Sequence, residues 1–164
     1  MPKNKNDFAL FIKNFIFGVE DSLVSTVGLL SGVAVAGLPK REIFLAGVVL
    51  IFVEAFSMGV GSYLSEQSAN EFLRKKSSLS IPSGIIMFVS YFVAGFIPLS
   101  PYLIFEVNIA FPLSITASLV SLFLLGVVGA KIFKTPALKQ AMRMFLLGGM
   151  AIAVGVIVGA IVNA

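Results

Sequence analysis

Three side chains that could bind a metal ion or a proton stand inside long apolar stretches of the sequence: Asp21, Glu54 and Met58. An ionisable group in a membrane span costs about 2.5–3.5 kcal/mol on insertion scales, so Asp21, Glu54 and Glu20 are candidates for function by default. Glu20 points to another helix face and lies nearer the interface, which makes it a weaker candidate. Asp21 and Glu54 are therefore the first choices for binding a cation or carrying protons.

Small and polar residues recur near these groups at steps of three or four, which places each set on one helix face. The first set is Asp21, Ser25, Gly28 and Gly32, and the second is Glu54, Met58, Gly61 and Ser65. If the two helices are antiparallel, a rise of about 1.5 Å per residue brings Asp21 and Met58 to similar depths, with Glu54 nearer the centre. This arrangement is typical of a cation path.

The ligand types indicate which cation. The sequence has no Cys and no His, which leaves carboxylates, amides, hydroxyls, carbonyls and thioethers. Mg²⁺ and Ca²⁺ prefer shells made only of oxygen, whereas a thioether beside carboxylates suits Fe²⁺, Mn²⁺ or Co²⁺ better. Structural alternatives stay open: Met58 could be packing, Glu54 a neutral hydrogen-bonded acid, and Asp21 an interfacial cap.

The elements that must hold these residues are membrane-spanning helices. Hydrophobic residues make up 58% of the 164-residue chain and charged residues 12%, with a mean hydropathy of +1.02, against about 25% charged residues in soluble domains. Pro39, Pro98, Pro101 and Pro136 suggest helix borders. Five stretches are long enough to span a bilayer, at about 14–38, 42–65, 82–105, 110–133 and 140–162. We expect one transmembrane domain over residues 1–164, an all-α bundle of five helices.

Lysine and arginine set the orientation. With the N-terminus inside, the outer segments hold only Lys40 and Arg41. The inner segments then hold the other ten, which are Lys3, Lys5, Lys13, Arg74, Lys75, Lys76, Lys131, Lys134, Lys139 and Arg143. The positive-inside rule therefore predicts a cytoplasmic N-terminus and an outer C-terminus. The net charge of +4 is explained by this placement, so no nucleic-acid partner is expected.

The acidic residues at helix borders are expected to be solvated by water; these are Glu42, Glu66, Glu71 and Glu106. The segment 66–81 is too short for a folded domain. It is predicted to be a helical extension of the second helix, with a basic patch that anchors it at the membrane surface. Glycine pairs on two helices, Gly28 with Gly32 and Gly155 with Gly159, predict close packing between helices. No nucleotide loop and no nucleophile–base pair is present, so we expect no enzyme activity and no tightly bound cofactor.

The chain resembles the vacuolar iron transporter family, whose members move Fe²⁺ or Mn²⁺ out of the cytosol, typically against protons. The matching stretches are FGVEDSLVSTVGLLSGVAVAG, FSMGVGSYLSEQS, LGVVGAKIFK and FLLGGMAIAVGVIVG. The resemblance implies five helices with the N-terminus inside, a homodimer, and an ion path along the dimer interface. It also implies that Asp21 and Met58 take the places of the pore aspartate and the pore methionine.

Three departures from the family pattern stand out. Leu50 occupies the position of a helix-two glutamate of plant-like members, and Ser62 replaces the glutamate of a G-E-Y motif found in many prokaryotic members. The acidic cytoplasmic domain between helices two and three is absent. Glu54, one turn before Met58, is then a candidate relocated ligand.

Together these features predict a divalent metal transporter driven by proton exchange. Asp21, Glu54 and Met58 would bind the metal, and Asp21 and Glu54 would carry protons, because burial favours a protonated carboxylic acid whereas a bound cation favours the ionised form. The alternatives are a transporter of another substrate, a channel without proton coupling, and a scaffold or sensor that has lost transport. The expected location is a prokaryotic plasma membrane, with a vacuolar or other organellar membrane as the alternative.

Overall fold

The computed structural model describes residues 5–74 and 79–163, which form five helices. They are α1 (Lys5–Val35), α2 (Lys40–Phe72), α3 (Ser80–Ile104), α4 (Val107–Phe133) and α5 (Ala137–Val162). Each is long and apolar enough to cross a membrane, and the described residues contain no strand. The predicted all-α architecture of five membrane-spanning helices is confirmed.

Several helices extend beyond the bounds expected from hydropathy. α1 begins at Lys5 instead of near Asn14, and α2 continues to Phe72, past Ser65. At 33 residues, α2 is about 50 Å long and exceeds the apolar core of a bilayer, about 30 Å thick. Apolar composition reports only the part of a helix that lipid can cover, so the polar extensions were underestimated. The helical extension predicted after Ser65 is confirmed, whereas Lys3, Lys75 and Lys76 lie outside the described residues.

The prediction that prolines end the third helix is wrong. Pro98 and Pro101 lie inside α3, which continues to Ile104. Pro101 has no N–H to give to the carbonyl of Ile97, but the Ser100 hydroxyl donates to that oxygen at 2.9 Å. A local side chain thus replaces the missing backbone donor, and the helix passes through. Pro39 and Pro136 do stand at helix borders, directly before α2 and α5.

Helix α1 lies at the centre of the bundle, because it contacts each of the other four helices. Buried hydrophobic side chains form two clusters around it. One joins α1, α2, α3 and α4 and consists of Leu30, Ile43, Ile51, Leu99, Tyr102 and Ala110. The other joins α1, α3, α4 and α5 and consists of Leu23, Ala94, Leu122, Leu125 and Met144.

The glycine positions show how the helices run against one another. A Cβ added to Gly47 would lie 2.6 Å from Leu99, and one added to Gly59 would lie 2.9 Å from Phe88. Residue numbers therefore rise along α2 as they fall along α3, so these two helices are antiparallel.

Helices α1 and α5 are parallel and touch backbone to backbone. A Cβ on Gly32 would lie 2.8 Å from the carbonyl oxygen of Gly155, and Cβ atoms on Gly155 and Gly159 would overlap the carbonyls of Gly28 and Gly32. Small residues allow such an approach between membrane helices. The close packing predicted for both glycine pairs is confirmed, and they pack against each other.

This contact can be tested with a pair of substitutions in α5. Gly155→Leu must push α5 away from α1, and overpacking of this kind costs about 1–3 kcal/mol or more. Gly149→Leu is the matched control, because a Cβ at Gly149 meets no atom within 4 Å. We expect thermal unfolding in detergent micelles to show a clear loss of stability for Gly155→Leu only. Equal melting temperatures for the two variants would contradict the α1–α5 contact.

Candidate functional site

The structure places Asp21 of α1 and Glu54 of α2 on neighbouring helices, near enough for the charge of Glu54 to act on Asp21. Both carboxylates are also near enough to act on the hydroxyl of Tyr91 in α3. Both acidic side chains are half-buried. Three helices thus converge on one polar cluster, which we call the carboxylate cluster (Asp21, Glu54 and Tyr91). The roles of Asp21 and Glu54 in binding metal and protons stay predictions.

Tyr91 is the member of this cluster that the sequence analysis missed. Its side chain is fully buried, and its hydroxyl lies 2.6 Å from the Ser25 hydroxyl. The Ser22 hydroxyl donates to the Tyr91 backbone carbonyl oxygen at 2.6 Å. A buried tyrosine usually finds a hydrogen-bond partner, so a tyrosine in mid-span was the available signal. These two bonds fix the rotation of α3 against the turn of α1 that carries Asp21.

A glycine allows the three helices to meet at this level. A Cβ added to Gly95 of α3 would lie 2.7 Å from Ile51 of α2 and 3.0 Å from the Ser22 hydroxyl of α1. Any larger residue would push α3 away from both neighbours. The carboxylate cluster therefore depends on a close approach that only a residue without a side chain permits.

Met58 lies in a separate space, one helical turn from Glu54. It lines a cavity of about 250 Å³ bounded by α1, α2 and α3, and we call this the two-methionine cavity. Its polar and sulfur-bearing walls are Lys13, Asn14, Met58, Ser62, Ser65, Glu66 and Met87. Asp21 and Glu54 are not among the lining residues. The three predicted ligands are therefore divided between the carboxylate cluster and this cavity.

Two features of the cavity were not expected from the sequence. Glu66, predicted to be solvated at a helix border, is half-buried in the cavity wall. Asn14 is 7% exposed, and its amide nitrogen has no hydrogen-bond partner among the residues that the structure describes. A buried polar group left without a partner costs about 1–3 kcal/mol, which calls for an explanation.

Glu20 behaves differently from Asp21. Arg143 of α5 lies close enough for its positive charge to act on Glu20, whereas the charge acting on Asp21 is that of Glu54. The lower rank of Glu20 as a candidate stays a prediction.

Acidic side chains alone do not make a metal site in this chain. Within residues 5–74 and 79–163, no group of three or more His, Cys, Asp or Glu side chains could hold a metal ion. A cation in this bundle would therefore also need amide, hydroxyl, thioether or backbone oxygen donors. Such donors lie beside the carboxylate cluster, in Ser25 and Tyr91, and in the two-methionine cavity.

Comparison with known proteins gives a consistent result. A model described as the VIT family matches residues 12–80 and 73–160. The chain is 22% identical over 160 residues to a protein named vacuolar iron transporter homolog 4 from Arabidopsis thaliana, covering 89% of this chain and 81% of the relative. Vacuolar iron transporter homolog 2 from the same plant is 23% identical over 157 residues, covering 88% and 80%. A shorter match, 33% identical over 60 residues, is to vacuolar iron transporter 1 of Tulipa gesneriana, covering 37% of this chain and 24% of the relative.

The hydrogen bond between Tyr91 and Ser25 can be tested with a double-mutant cycle. Tyr91→Phe and Ser25→Ala should each lower the free energy of unfolding by about 0.5–1.5 kcal/mol. Because both remove the same bond, the double variant should lose less than the sum, as measured by unfolding in mixed micelles.

Thr116 in α4 supplies the control for this cycle. Its hydroxyl bonds only within its own helix, to the carbonyl of Pro112. Tyr91→Phe combined with Thr116→Val should be additive to within about 0.5 kcal/mol. Additivity in the Tyr91 and Ser25 pair as well would mean that the two hydroxyls do not interact.

Proposed function

The chain belongs to the VIT family, and on that basis we propose that it moves Fe²⁺ or Mn²⁺ out of the cytosol in exchange for protons. It is an integral membrane protein with five membrane-spanning helices, of the iron-transporter type and not an enzyme. The observation that carries the proposal is the pair of half-buried carboxylates, Asp21 and Glu54, on two neighbouring helices of an apolar bundle, both near the buried Tyr91. Two neighbouring carboxylates can hold a divalent cation or the protons that replace it.

The choice of metal follows from the donors. The carboxylate cluster offers oxygen only, and Met58 offers a thioether one turn further along α2. A path that combines oxygen and sulfur favours borderline cations such as Fe²⁺ and Mn²⁺ over Mg²⁺ and Ca²⁺. We propose that Asp21, Glu54 and Met58 contact the metal in turn as it crosses the bundle.

The direction of transport rests on orientation and energy. The distribution of Lys and Arg favours a cytoplasmic N-terminus, which puts the two-methionine cavity on the cytosolic side. Moving two positive charges out against a potential of 100 mV costs about 4.6 kcal/mol. Two protons entering per metal leaving would cancel that charge movement. Asp21 and Glu54 are then the proton carriers, since a cation and protons compete for the same oxygens.

A homodimer is the assembly that the proposal requires. Around Glu54 and Met58, α2 presents exposed apolar side chains, among them Phe52, Val53 and Phe56. A Cβ added to Gly61, on the face of Met58, would meet no atom within 4 Å. A second copy covering this face would enclose the path between two α1–α2 pairs. The family resemblance is the reason to expect this partner in place of lipid.

The membrane that holds the protein is inferred from the sequence pattern and from the names of relatives. The sequence predicts a prokaryotic plasma membrane, with an organellar membrane as the alternative. The names of the plant relatives refer to the vacuole, which supports the alternative. In either membrane, export from the cytosol uses the same orientation.

A scaffold or sensor that no longer transports is the second candidate function. It is favoured by the absence, within the described part of the chain, of any group of three acidic side chains that could hold a metal. Transport measurements separate the two candidates, because a scaffold moves no ion.

Metal uptake into liposomes that hold the purified chain tests the proposal. Dyes inside the vesicles report metal and pH, and Mg²⁺ serves as the comparison ion. We expect saturable uptake of Fe²⁺ or Mn²⁺ coupled to opposite proton movement, lost in Asp21→Ala. Glu42→Gln, at an exposed carboxylate in the first turn of α2, is the matched control and should keep wild-type uptake. No metal movement by a well-folded wild-type protein would favour the scaffold.

Substitutions at Glu54 and Met58 test two separate parts of the proposal in the same liposome uptake assay. Glu54→Gln removes one proton carrier, so uptake should fall and lose its response to an imposed pH gradient. Met58→Leu keeps the side-chain volume but removes the thioether, so Fe²⁺ uptake should fall severalfold. Unchanged uptake and pH dependence in Glu54→Gln would exclude Glu54 as a relocated ligand, and wild-type behaviour of Met58→Leu would make Met58 a packing residue.

A further inference from the structure

We propose that the end of the bundle where α4 joins α5 is a docking site for an anionic phospholipid of the cytosolic leaflet. We call this surface the basic hairpin, and its positive residues are Lys131, Lys134, Lys139 and Arg143. The lysines bind the lipid phosphate, and the exposed apolar side chains beside them contact the acyl chains. The inference goes beyond metal transport and does not depend on it.

The first support is the charge of the basic hairpin compared with the other inner segments. Asp7 lies among the basic residues that begin the chain, and Glu66 and Glu71 precede Arg74. Residues 107–164, which include all of α4 and α5, contain no Asp or Glu. The positive-inside rule calls for basic residues on this side of the membrane, but it does not require four of them in one hairpin without an acid. Topology alone therefore does not explain this concentration of charge.

The second support is the depth of the lysines on the two helices. Helices α4 and α5 are joined by residues 134–136 and run antiparallel, and a Cβ added to Gly126 would lie 2.5 Å from the Cα atom of Ala141. At about 1.5 Å per residue, Lys131 lies about 7.5 Å from this level and Lys139 about 3 Å from it, on the same side. Lysines of both helices therefore lie at one end of the bundle, where long side chains can reach the headgroups of one lipid.

The third support is that the protein compensates only part of this charge. Arg143 acts on Glu20 of α1. Lys131, Lys134 and Lys139 are exposed, and none of them forms an ion pair with another residue of the ranges 5–74 and 79–163. Lys139 also stands in the first turn of α5, where the helix dipole opposes a positive charge. An anionic ligand would compensate charges that neither a neighbouring acid nor the helix geometry explains.

The apolar residues beside the lysines distinguish a lipid from a soluble anion. Exposed hydrophobic side chains stand next to the basic residues in both helices; they are Ile132, Phe133, Leu138 and Met142. A free phosphate would contact the charges only, whereas a phospholipid contacts the charges with its headgroup and the apolar side chains with its acyl chains. Clusters of Lys and Arg at the cytosolic ends of membrane helices are typical of binding to anionic lipids. The combination therefore favours a phospholipid.

Titration of the full chain with phosphatidylglycerol, followed by native mass spectrometry from detergent micelles, tests the site. Phosphatidylcholine with the same acyl chains is the comparison lipid, because its headgroup has no net charge. We expect the wild-type chain to bind phosphatidylglycerol more tightly. Lys134→Gln combined with Lys139→Gln should weaken this binding about fivefold for each charge removed, the effect of one Lys or Arg beside anionic lipid. Arg143 is left in place because its charge also acts on Glu20.

Two further variants serve as controls. Lys13→Gln combined with Arg74→Gln removes two exposed positive charges from the same end of the bundle and should leave phosphatidylglycerol binding unchanged. The match is close, because Arg74 and Lys134 both follow the end of a helix with a positive φ, 51° and 54°. Lys134→Arg combined with Lys139→Arg keeps the charges and should bind as the wild-type chain does. Thermal unfolding in the same micelles checks that each variant is folded.

Each outcome decides the proposal. A preference for phosphatidylglycerol that depends on Lys134 and Lys139, but not on Lys13 and Arg74, supports it. Equal weakening in the two glutamine pairs would mean a general attraction to positive charge and would overturn the local site, as would equal binding of the two lipids. Displacement of phosphatidylglycerol by soluble glycerol phosphate at a similar concentration would make phosphate alone the ligand and would overturn the lipid site. Metal uptake into liposomes has no bearing on any of these results.

Discussion

The backbone contact between α1 and α5 is the constraint on which the rest of the structure depends. Gly28 and Gly32 lie against Gly155 and Gly159 with no side chain between them, so α1 can neither rotate nor slide without a clash. With that contact fixed, the preceding turns of α1 present the hydroxyls of Ser22 and Ser25 to Tyr91 of α3. A central helix held in this way gives the polar groups defined positions in a bundle whose remaining surface is apolar.

Polar groups in the bundle then separate into two regions along α1. Near the carboxylate cluster, α1 is tied to α3 by the hydrogen bonds of Ser22 and Ser25 to Tyr91. The two-methionine cavity lies nearer the start of α1, and Asn14 in its wall has an amide nitrogen with no hydrogen-bond partner within the described ranges 5–74 and 79–163. Ser62, which departs from the family pattern, lines that cavity one turn from Glu66.

Much of the fold was predictable because lipid imposes simple rules. Five apolar stretches and two pairs of glycines at four-residue spacing gave the helices and the packing faces, and the structure agrees. The errors have local causes. Hydropathy does not detect the polar ends of α1 and α2. The rule that proline ends a helix also fails in α3, because the Ser100 hydroxyl donates to the Ile97 carbonyl oxygen in place of the N–H that proline lacks.

The sequence by itself determined which groups were available: two mid-span carboxylates, no histidine or cysteine, and a methionine one turn from Glu54. Helical periodicity could place each group on a face, because the geometry of one helix is fixed by its own hydrogen bonds. Only the tertiary structure decided which faces meet. It placed Asp21 and Glu54 near Tyr91 of a third helix, and it put Met58 in one cavity wall with Met87, Asn14 and Glu66. Helix rotation and depth depend on contacts between residues far apart in the chain, which no local pattern records.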